Sequence, residues 1–338
     1  MRPIRLCLAL LAFAPPAARA QTPAWTRPLR PVATYSIVAR DSATGEIGVA
    51  VQSHWFSVGT AVPWAEAGVG AVATQSFTEP SYGPLGLELM RLGRSGPEAL
   101  RALVSTDADS AVRQVAMIDA RGRVAAWTGG RNIQAAGNHV GHGYSTEANL
   151  MDRNTVWDAM ARAYEGAHGD LAERLLQALE AAQREGGDIR GRQSAAIIVV
   201  SGTNTGRPWA DRIVDLRVED NPEPLRELRR LVTLNRVYRS LNEGDAAVTR
   251  NDLDAAAASY GRATSILPDS ATHGEAVFWT GISFASAGKP EQAIPYLRRA
   301  YAVWPKWADL VRRLPAAGLL PNDPALIDRL VREMTAGR

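Results

Sequence analysis

Eight short runs carry the strongest constraint on the fold: TYSIVAR from Thr34, IGVAVQS from Ile47, VGAVATQ from Val69, RQVAMID from Arg113, RVAAWTG from Arg123, GYSTEANL from Gly143, SAAIIVVSG from Ser194 and DRIVDLRVED from Asp211. Each is rich in β-branched or small residues and bounded by Gly, Asp or Pro, the signature of a strand. Their inner positions are apolar almost continuously rather than alternately, so the sheets they build must be covered on both faces. The first two, joined by DSATGE, predict a hairpin, and RQVAMID and RVAAWTG predict another around Ala120-Arg121-Gly122. Helices are expected between the strand blocks, in pairs. One runs from Tyr82 to Leu92 with Leu85, Leu89 and Leu92 on one side, and a second starts at Pro97. A later pair covers Thr155 to Tyr164 and Leu171 to Gln183. Strands, two helices, strands, two helices, strands: this order predicts an α+β domain with four αββα layers.

From about Pro222 the chain reads as helix to its end, and it repeats itself. Gly244, Ala256, Tyr260, Ala263 and Pro268 recur as Gly281, Ala293, Leu297, Ala300 and Pro305, each offset by 37. The pattern resembles the tetratricopeptide repeat, in which small residues let two antiparallel helices close up, a bulky residue fills the gap and proline ends the second helix. Residues 274–305 match better than 237–268, because Phe284 stands at an aromatic position where the first copy has Ala247. A capping helix is expected from Pro324 to Met334. The expected division is a front domain at 34–231 and helical repeats at 232–338.

The first 20 residues read as a secretory signal: Arg2 and Arg5, an apolar run from Leu6 to Ala14, then Ala18-Arg19-Ala20, predicting a cut between Ala20 and Gln21 and a secreted or periplasmic protein. Residues 21–33 hold three prolines and read as a lead-in. No other stretch approaches the roughly 20 apolar residues that span a bilayer. Removing the signal takes away Cys7, the only cysteine, which excludes thiol catalysis and Cys-ligated metals from the remainder. It also leaves 35 basic against 35 acidic residues, a balance unlike that of a nucleic-acid binder. Lysine occurs only at Lys289 and Lys306, so the front domain can run no Schiff-base, P-loop or Ser/Lys mechanism.

The runs from TYSIVARD to IGVAVQS, VGTAVPWAEAGVGAVATQS, YGPLGLELMRLG, GGDIRGRQSAAIIVV and VDLRVEDNPEPLREL closely resemble the family catalogued as domain of unknown function 1028 and grouped with the N-terminal-nucleophile (Ntn) hydrolases, over Thr34 to about Leu231. The resemblance implies an Ntn-hydrolase-like sandwich. In such enzymes a Thr, Ser or Cys that begins the processed chain attacks, and its own α-amine, with an ordinary pKa near 8, is the base. Thr34 sits where that residue would be, with the 13 residues Gln21 to Ala33 still ahead of it after signal removal. A second cut after Ala33 would be needed, since an amide nitrogen is no base. The lysine that proteasome-like relatives place beside the threonine is missing, and Arg cannot replace it as a proton carrier.

By the same pattern Ser53 and His54 end the second strand, Gln75 and Ser76 end the third, and Asn149 offers an amide to an oxyanion. Asp188, Arg190, Arg192, Gln193 and Ser194 form a polar cluster before an apolar strand, placed to bind substrate or to close a turn. The expected catalytic set is Thr34, Asn149 and Ser53. The expected binding set is His54, Gln75, Ser76, Asp188, Arg190, Arg192, Gln193 and Ser194. His139 and His142 with His54 make a weak three-His signal, there is no G-x-S-x-G elbow, and GVGAVA near Gly68 lacks the helix of a dinucleotide fingerprint, so neither metal nor cofactor is expected.

The function these readings favour is an exported amidohydrolase acting on a linear amide in a peptide, acyl-amino acid or cell-wall fragment. Its repeats would dock a protein partner, and self-association through the helical layers is a further expectation. Two rival classes are a non-catalytic binding protein that keeps an intact 21–33 segment, and a scaffold whose repeat groove exposes Trp279, Trp304 and Trp307.

Overall fold

The computed structural model describes residues 34–336, so the signal segment, its cut site, Cys7 and the lead-in lie outside the described residues. Ten strands form two antiparallel sheets: β1 (Thr34–Arg40), β2 (Ile47–Ser53), β3 (Pro63–Glu66), β4 (Gly70–Ser76), β5 (Arg113–Asp119), β6 (Val124–Thr128), β7 (Gly137–Gly141), β8 (Tyr144–Asn149), β9 (Ser194–Val200) and β10 (Arg212–Val218). One sheet has six strands in the order β10-β9-β2-β1-β8-β7, the other four in the order β3-β4-β5-β6. Eight of these correspond to the runs read from sequence; β3 and β7 are additional. Both are edge strands. β3 opens on Pro63, tolerable there because an edge strand has unpaired N–H positions, and β7 is only GNHVG, too Gly-rich and short to show a pattern.

The helices are α1 (Tyr82–Arg91), α2 (Gly96–Thr106), α3 (Val156–Gly166), α4 (Leu171–Arg184), the single turn α5 (Pro208–Asp211), α6 (Pro224–Thr249), α7 (Leu253–Ile266), α8 (Glu275–Ser286), α9 (Pro290–Val303), α10 (Trp307–Val311) and α11 (Pro324–Thr335). None is long and apolar enough to cross a membrane among the described residues. Three apolar clusters set out the layers of the front domain. Val38, Ile47, Val49 and Val51 of the six-stranded sheet meet Ala71, Ala73, Ala116 and Ile118 of the other. On the far side of the six-stranded sheet, Tyr35, Ile37 and Ile197 pack on Leu171, Leu175, Leu176 and Leu179 of α4, each such side chain contributing about 1.5–3 kcal/mol by leaving water. On the far side of the four-stranded sheet, Val72, Val115 and Met117 pack on α1 and α2.

Local signals start the helices. Ser95 accepts from the Glu98 N–H while the Glu98 carboxylate accepts from the Ser95 N–H, a capping box completed by Pro97 in the first turn of α2. The Asp170 side chain caps α4 through the Glu173 N–H. In α1 only Leu89 of the expected apolar stripe packs on the core. Leu85 and Leu92 are 49% and 72% exposed, whereas Gly83, Gly86, Leu87 and Met90 face the sheet. The reason is close approach: a Cβ on Gly83 would lie 2.3 Å from the Trp64 ring and one on Gly86 would lie 2.9 Å from Met117.

The C-terminal region is a second core built from helix pairs. α6 runs unbroken through residue 231, so the front domain and the helical region share a helix rather than a linker. The Tyr260 ring of α7 fills the space over Gly244 of α6, and Leu297 of α9 does the same over Gly281 of α8. Trp279 and Trp307 pack against this core, Trp307 stacking on Phe278 at 4.3 Å, while Trp304 is 41% exposed beside His273.

Candidate functional site

The space between the two sheets changes character along its length. At one end it is filled by Val38, Ile47, Val49, Ala71 and Ile118. At the other, the same inward-facing positions carry Thr34 and Ser36 on β1, Ser53 on β2, Glu147 and Asn149 on β8, Gln75 on β4 and Gln114 on β5, all almost fully buried. Register makes the cluster: Thr34 lies directly opposite Ser53 on one side and Asn149 on the other, and Ser36 lies opposite Glu147.

The Thr34 hydroxyl donates to Ser53 Oγ at 3.3 Å. Its carbonyl oxygen accepts from Gln75 Nε2 and from Asn149 Nδ2, each at 3.4 Å. Both amides also donate to Gln114 Oε1, at 2.7 and 2.9 Å, and Gln114 Nε2 donates onward to Thr128 Oγ1 and to the carbonyls of Gly137 and Ala148. Two side-chain amides, one from each sheet, therefore fix the backbone of one threonine, and a third, Gln114, links the two. Buried polar groups are costly unless satisfied, so a network of this size is held by mutual pairing.

Three non-glycine residues with left-handed backbone, Ser57 at φ 56°, Ser76 at φ 71° and Leu150 at φ 57°, stand near this end. Ser76 directly follows Gln75 and Leu150 directly follows Asn149. Each such conformation costs about 1–2 kcal/mol and persists where the surroundings over-determine it.

The remaining expected residues fall into two further groups. Asp188, its side chain fully buried, accepts from the His54 N–H at 2.9 Å and from the Arg190 N–H and guanidinium. This pair sits beside Tyr35 on the helix-covered face of the sheet; burial and then the Asp188 charge push the Tyr35 phenol well up, with Arg192 acting the other way. Arg192 and Gln193 turn towards the start of α6, pairing with Glu223 and Asp220, and Ser194 Oγ accepts from the Val58 N–H and donates to the Trp55 carbonyl. The 54–58 and 188–194 loops are thus tied to each other and to residues 219–223.

An open cleft of about 650 Å³, lined by Gln134, Asp152, Arg153, Asn154, Thr155 and Trp157, lies where β8 gives way to α3. His139 Nδ1 pairs with Asp158 on α3, and β8 and β1 separate its strand, β7, from β2, which leads to His54. Among the described residues no group of three or more His, Cys, Asp or Glu could hold a metal ion.

Residues 34–228 match the model of a family of unknown function, DUF1028. The chain belongs to this family. The crystal structure of protein SPO2555 from Silicibacter pomeroyi, also of DUF1028, is 31% identical, with a TM-score of 0.53 over 59% of this chain and 88% of that one. No curated protein matches. Every member of the Thr34 cluster lies inside the DUF1028 match, and α7 to α11 lie beyond it.

Within the DUF1028 domain the structure brings Thr34, Ser53, Gln75 and Asn149 together. His54, Asp188 and Arg190 form a neighbouring group, while Ser76 contributes backbone, and Arg192, Gln193 and Ser194 pin loops. Sequence reasoning missed Gln114, Ser36 and Glu147. The available signal was a polar residue in phase with inward apolar ones, as Gln114 is with Ala116 and Ile118 along β5.

Proposed function

We propose that this protein is an exported Ntn-type amidohydrolase whose nucleophile is Thr34, uncovered by a cut after Ala33. The observation that carries the reading is the placement of Thr34. It opens a central strand, its hydroxyl rests on Ser53, and its carbonyl is gripped from both sheets by Gln75 and Asn149. The strained Ser76 and Leu150 beside the two gripping amides add support, because such strain clusters at functional sites.

Once the α-amine of Thr34 is exposed it takes the hydroxyl proton, and Oγ1 attacks the carbonyl carbon of a linear amide in a peptide, acyl-amino acid or cell-wall fragment. The amine then hands that proton to the departing nitrogen, the C–N bond breaks, and water hydrolyses the ester left on Thr34. Ser53 orients the hydroxyl. Asn149 is the side-chain donor for the oxyanion, turning one amide hydrogen away from the Thr34 carbonyl or Gln114. The domain has no lysine, so the α-amine alone does the base work.

Two sheets face to face with helix pairs outside support an Ntn-hydrolase-like αββα sandwich. The Gly244–Tyr260 and Gly281–Leu297 contacts support two tetratricopeptide-like pairs capped by α11, offering a surface to a protein partner. Residues 1–20 are the export signal, cut between Ala20 and Gln21, for a secreted or periplasmic protein. A second reading, a non-catalytic binding protein on the same sandwich, draws on one observation. Gln75 and Asn149 both already donate to the Thr34 carbonyl and to Gln114.

The deciding experiment is the N-terminal residue of the protein recovered from its exported fraction, by Edman degradation and intact mass. A start at Thr34, with amide hydrolysis abolished by Thr34→Ala, is the expected result. A uniform start at Gln21 overturns the nucleophile and leaves the binding reading.

A further inference from the structure

Glu147 is a buried carboxyl that the chemistry above does not use. It lies one residue pair behind Thr34: Ser36 follows Thr34 by two on β1, Glu147 precedes Asn149 by two on β8, and Ser36 and Glu147 are direct partners in the ladder. Ser36 Oγ donates to Glu147 Oε1 at 3.4 Å, and the Ala116 N–H of β5, in the other sheet, bears on the same carboxyl. Glu147 Oε2 and Ser145 Oγ are buried and have no hydrogen-bond partner among the described residues. The inward groups around it are Ser36 on β1, Asn138 on β7, Gln114 and Ala116 on β5 and Thr128 on β6, none of them titratable or charged.

We infer that Glu147 is a positioning residue of the Thr34 site, a clamp that ties β8 to β1 on the face turned towards β5, directly behind the threonine. The inference rests on the nucleophile reading for its effect on chemistry, though not for the clamp itself. Burial pushes the Glu147 carboxyl well above the usual carboxylate range, against the opposing hydrogen bonds from Ser36 and Ala116. Burial thus favours the protonated form of the clamp, and ionisation puts an unpaired charge between the sheets. The folded chain then holds a proton that the unfolded chain releases near pH 4.5, so this group's contribution to stability falls as pH rises above that value.

The test compares the full-length wild type, Thr34→Ala, Glu147→Gln and Glu147→Leu. Infrared spectra at neutral pH should show a protonated-carboxyl band in the wild type and Thr34→Ala that is lost in Glu147→Gln. Acylation of Thr34 in the exported protein by a β-lactone probe, followed by intact mass against pH, should fall on the alkaline side in the wild type. Glu147→Gln should keep its plateau there, and Glu147→Leu should be slowed about a hundredfold at every pH by misplacement of the nucleophile. A band that survives in Glu147→Gln, or superimposable wild-type and Glu147→Gln profiles, overturns the proposal. If Thr34 is never acylated in the wild type, the nucleophile reading fails and the clamp is judged from Tm against pH. A wild-type Tm that falls with rising pH while that of Glu147→Gln stays flat upholds it, and parallel curves overturn it.

Discussion

The side-chain amide of Gln75, in the four-stranded sheet, donates across the sandwich to the backbone carbonyl of Thr34 in the six-stranded sheet. The contact joins residues 41 positions apart and ties a β4 side chain to the first residue of β1. It makes the location of one threonine depend on the packing of both sheets.

Gln75→Leu keeps the bulk and removes both donors. The Thr34 carbonyl and Gln114 Oε1 each lose one of two amide donors, and burial leaves no water to replace it. Equilibrium denaturation should show a loss of about 1–3 kcal/mol. A change below the error of the measurement would mean that the Asn149 contacts alone satisfy both oxygens.

Ser76 separates backbone strain from side-chain chemistry. At φ 71° glycine is at ease, so Ser76→Gly should be neutral or stabilising by up to about 1 kcal/mol, whereas β-branched Ser76→Val should cost well over that. Thermal melts of the two variants are the check, and equal losses would show that the hydroxyl rather than the backbone matters.

Two glycines 37 residues apart should respond differently to a methyl group. At Gly244 a Cβ would lie 2.4 Å from the Tyr260 ring, and that ring is anchored by a 2.6 Å bond from its hydroxyl to Asp245. Gly244→Ala should therefore lose about 1–3 kcal/mol to overpacking, more than the roughly 1 kcal/mol of helix propensity gained. At Gly281 the clash is milder but real, with Leu297 Cγ and Cδ2 at 2.8 Å and the Ala293 carbonyl at 3.2 Å, so Gly281→Ala should lose less than Gly244→Ala in the same denaturation assay.

Acid should loosen the junction between α4 and α6. Burial pushes the Asp170 carboxyl up, but the Arg236 guanidinium and the Glu173 N–H outweigh it and hold it below its ordinary 3.8; Glu173 is likewise held below 4.5, with Gln177 and Arg229 overcoming burial. A lowered folded-state value means stabilisation that is present above the unfolded value and lost as pH falls through the folded one. These groups should thus lower the Tm on acidification below about pH 4. Asp170→Asn should remove part of that slope and cost about 0.5–1 kcal/mol at neutral pH, a small figure because solvent screens a half-exposed pair.

Much of the architecture is legible in the sequence, because it depends on neighbours in the chain. The apolar continuity of IGVAVQS and SAAIIVV marked strands covered on both faces, and the serine–proline–glutamate start of α2 marked its own cap. Where a feature depended on contact, the reading fell short. Leu85, Leu89 and Leu92 have helical spacing, yet the helix turns Gly83 and Gly86 to the sheet, since only a surface without side chains admits the Trp64 ring and Met117 so closely. β7 was invisible because GNHVG has no pattern of its own and forms on the template of β8.

Sequence alone determined which segments are strands and helices, that the front region needs covered sheets, that the rear is paired helices, and that Thr34 opens the first strand. Alternation and helical period are properties of a few adjacent residues, so they survive without tertiary context. Only the folded structure decided that Thr34 meets Ser53, Gln75, Gln114 and Asn149, and that Glu147 lies sealed behind it. Those partners are separated by up to 115 positions in the chain, and their meeting is set by strand order and register, which no local stretch of sequence contains.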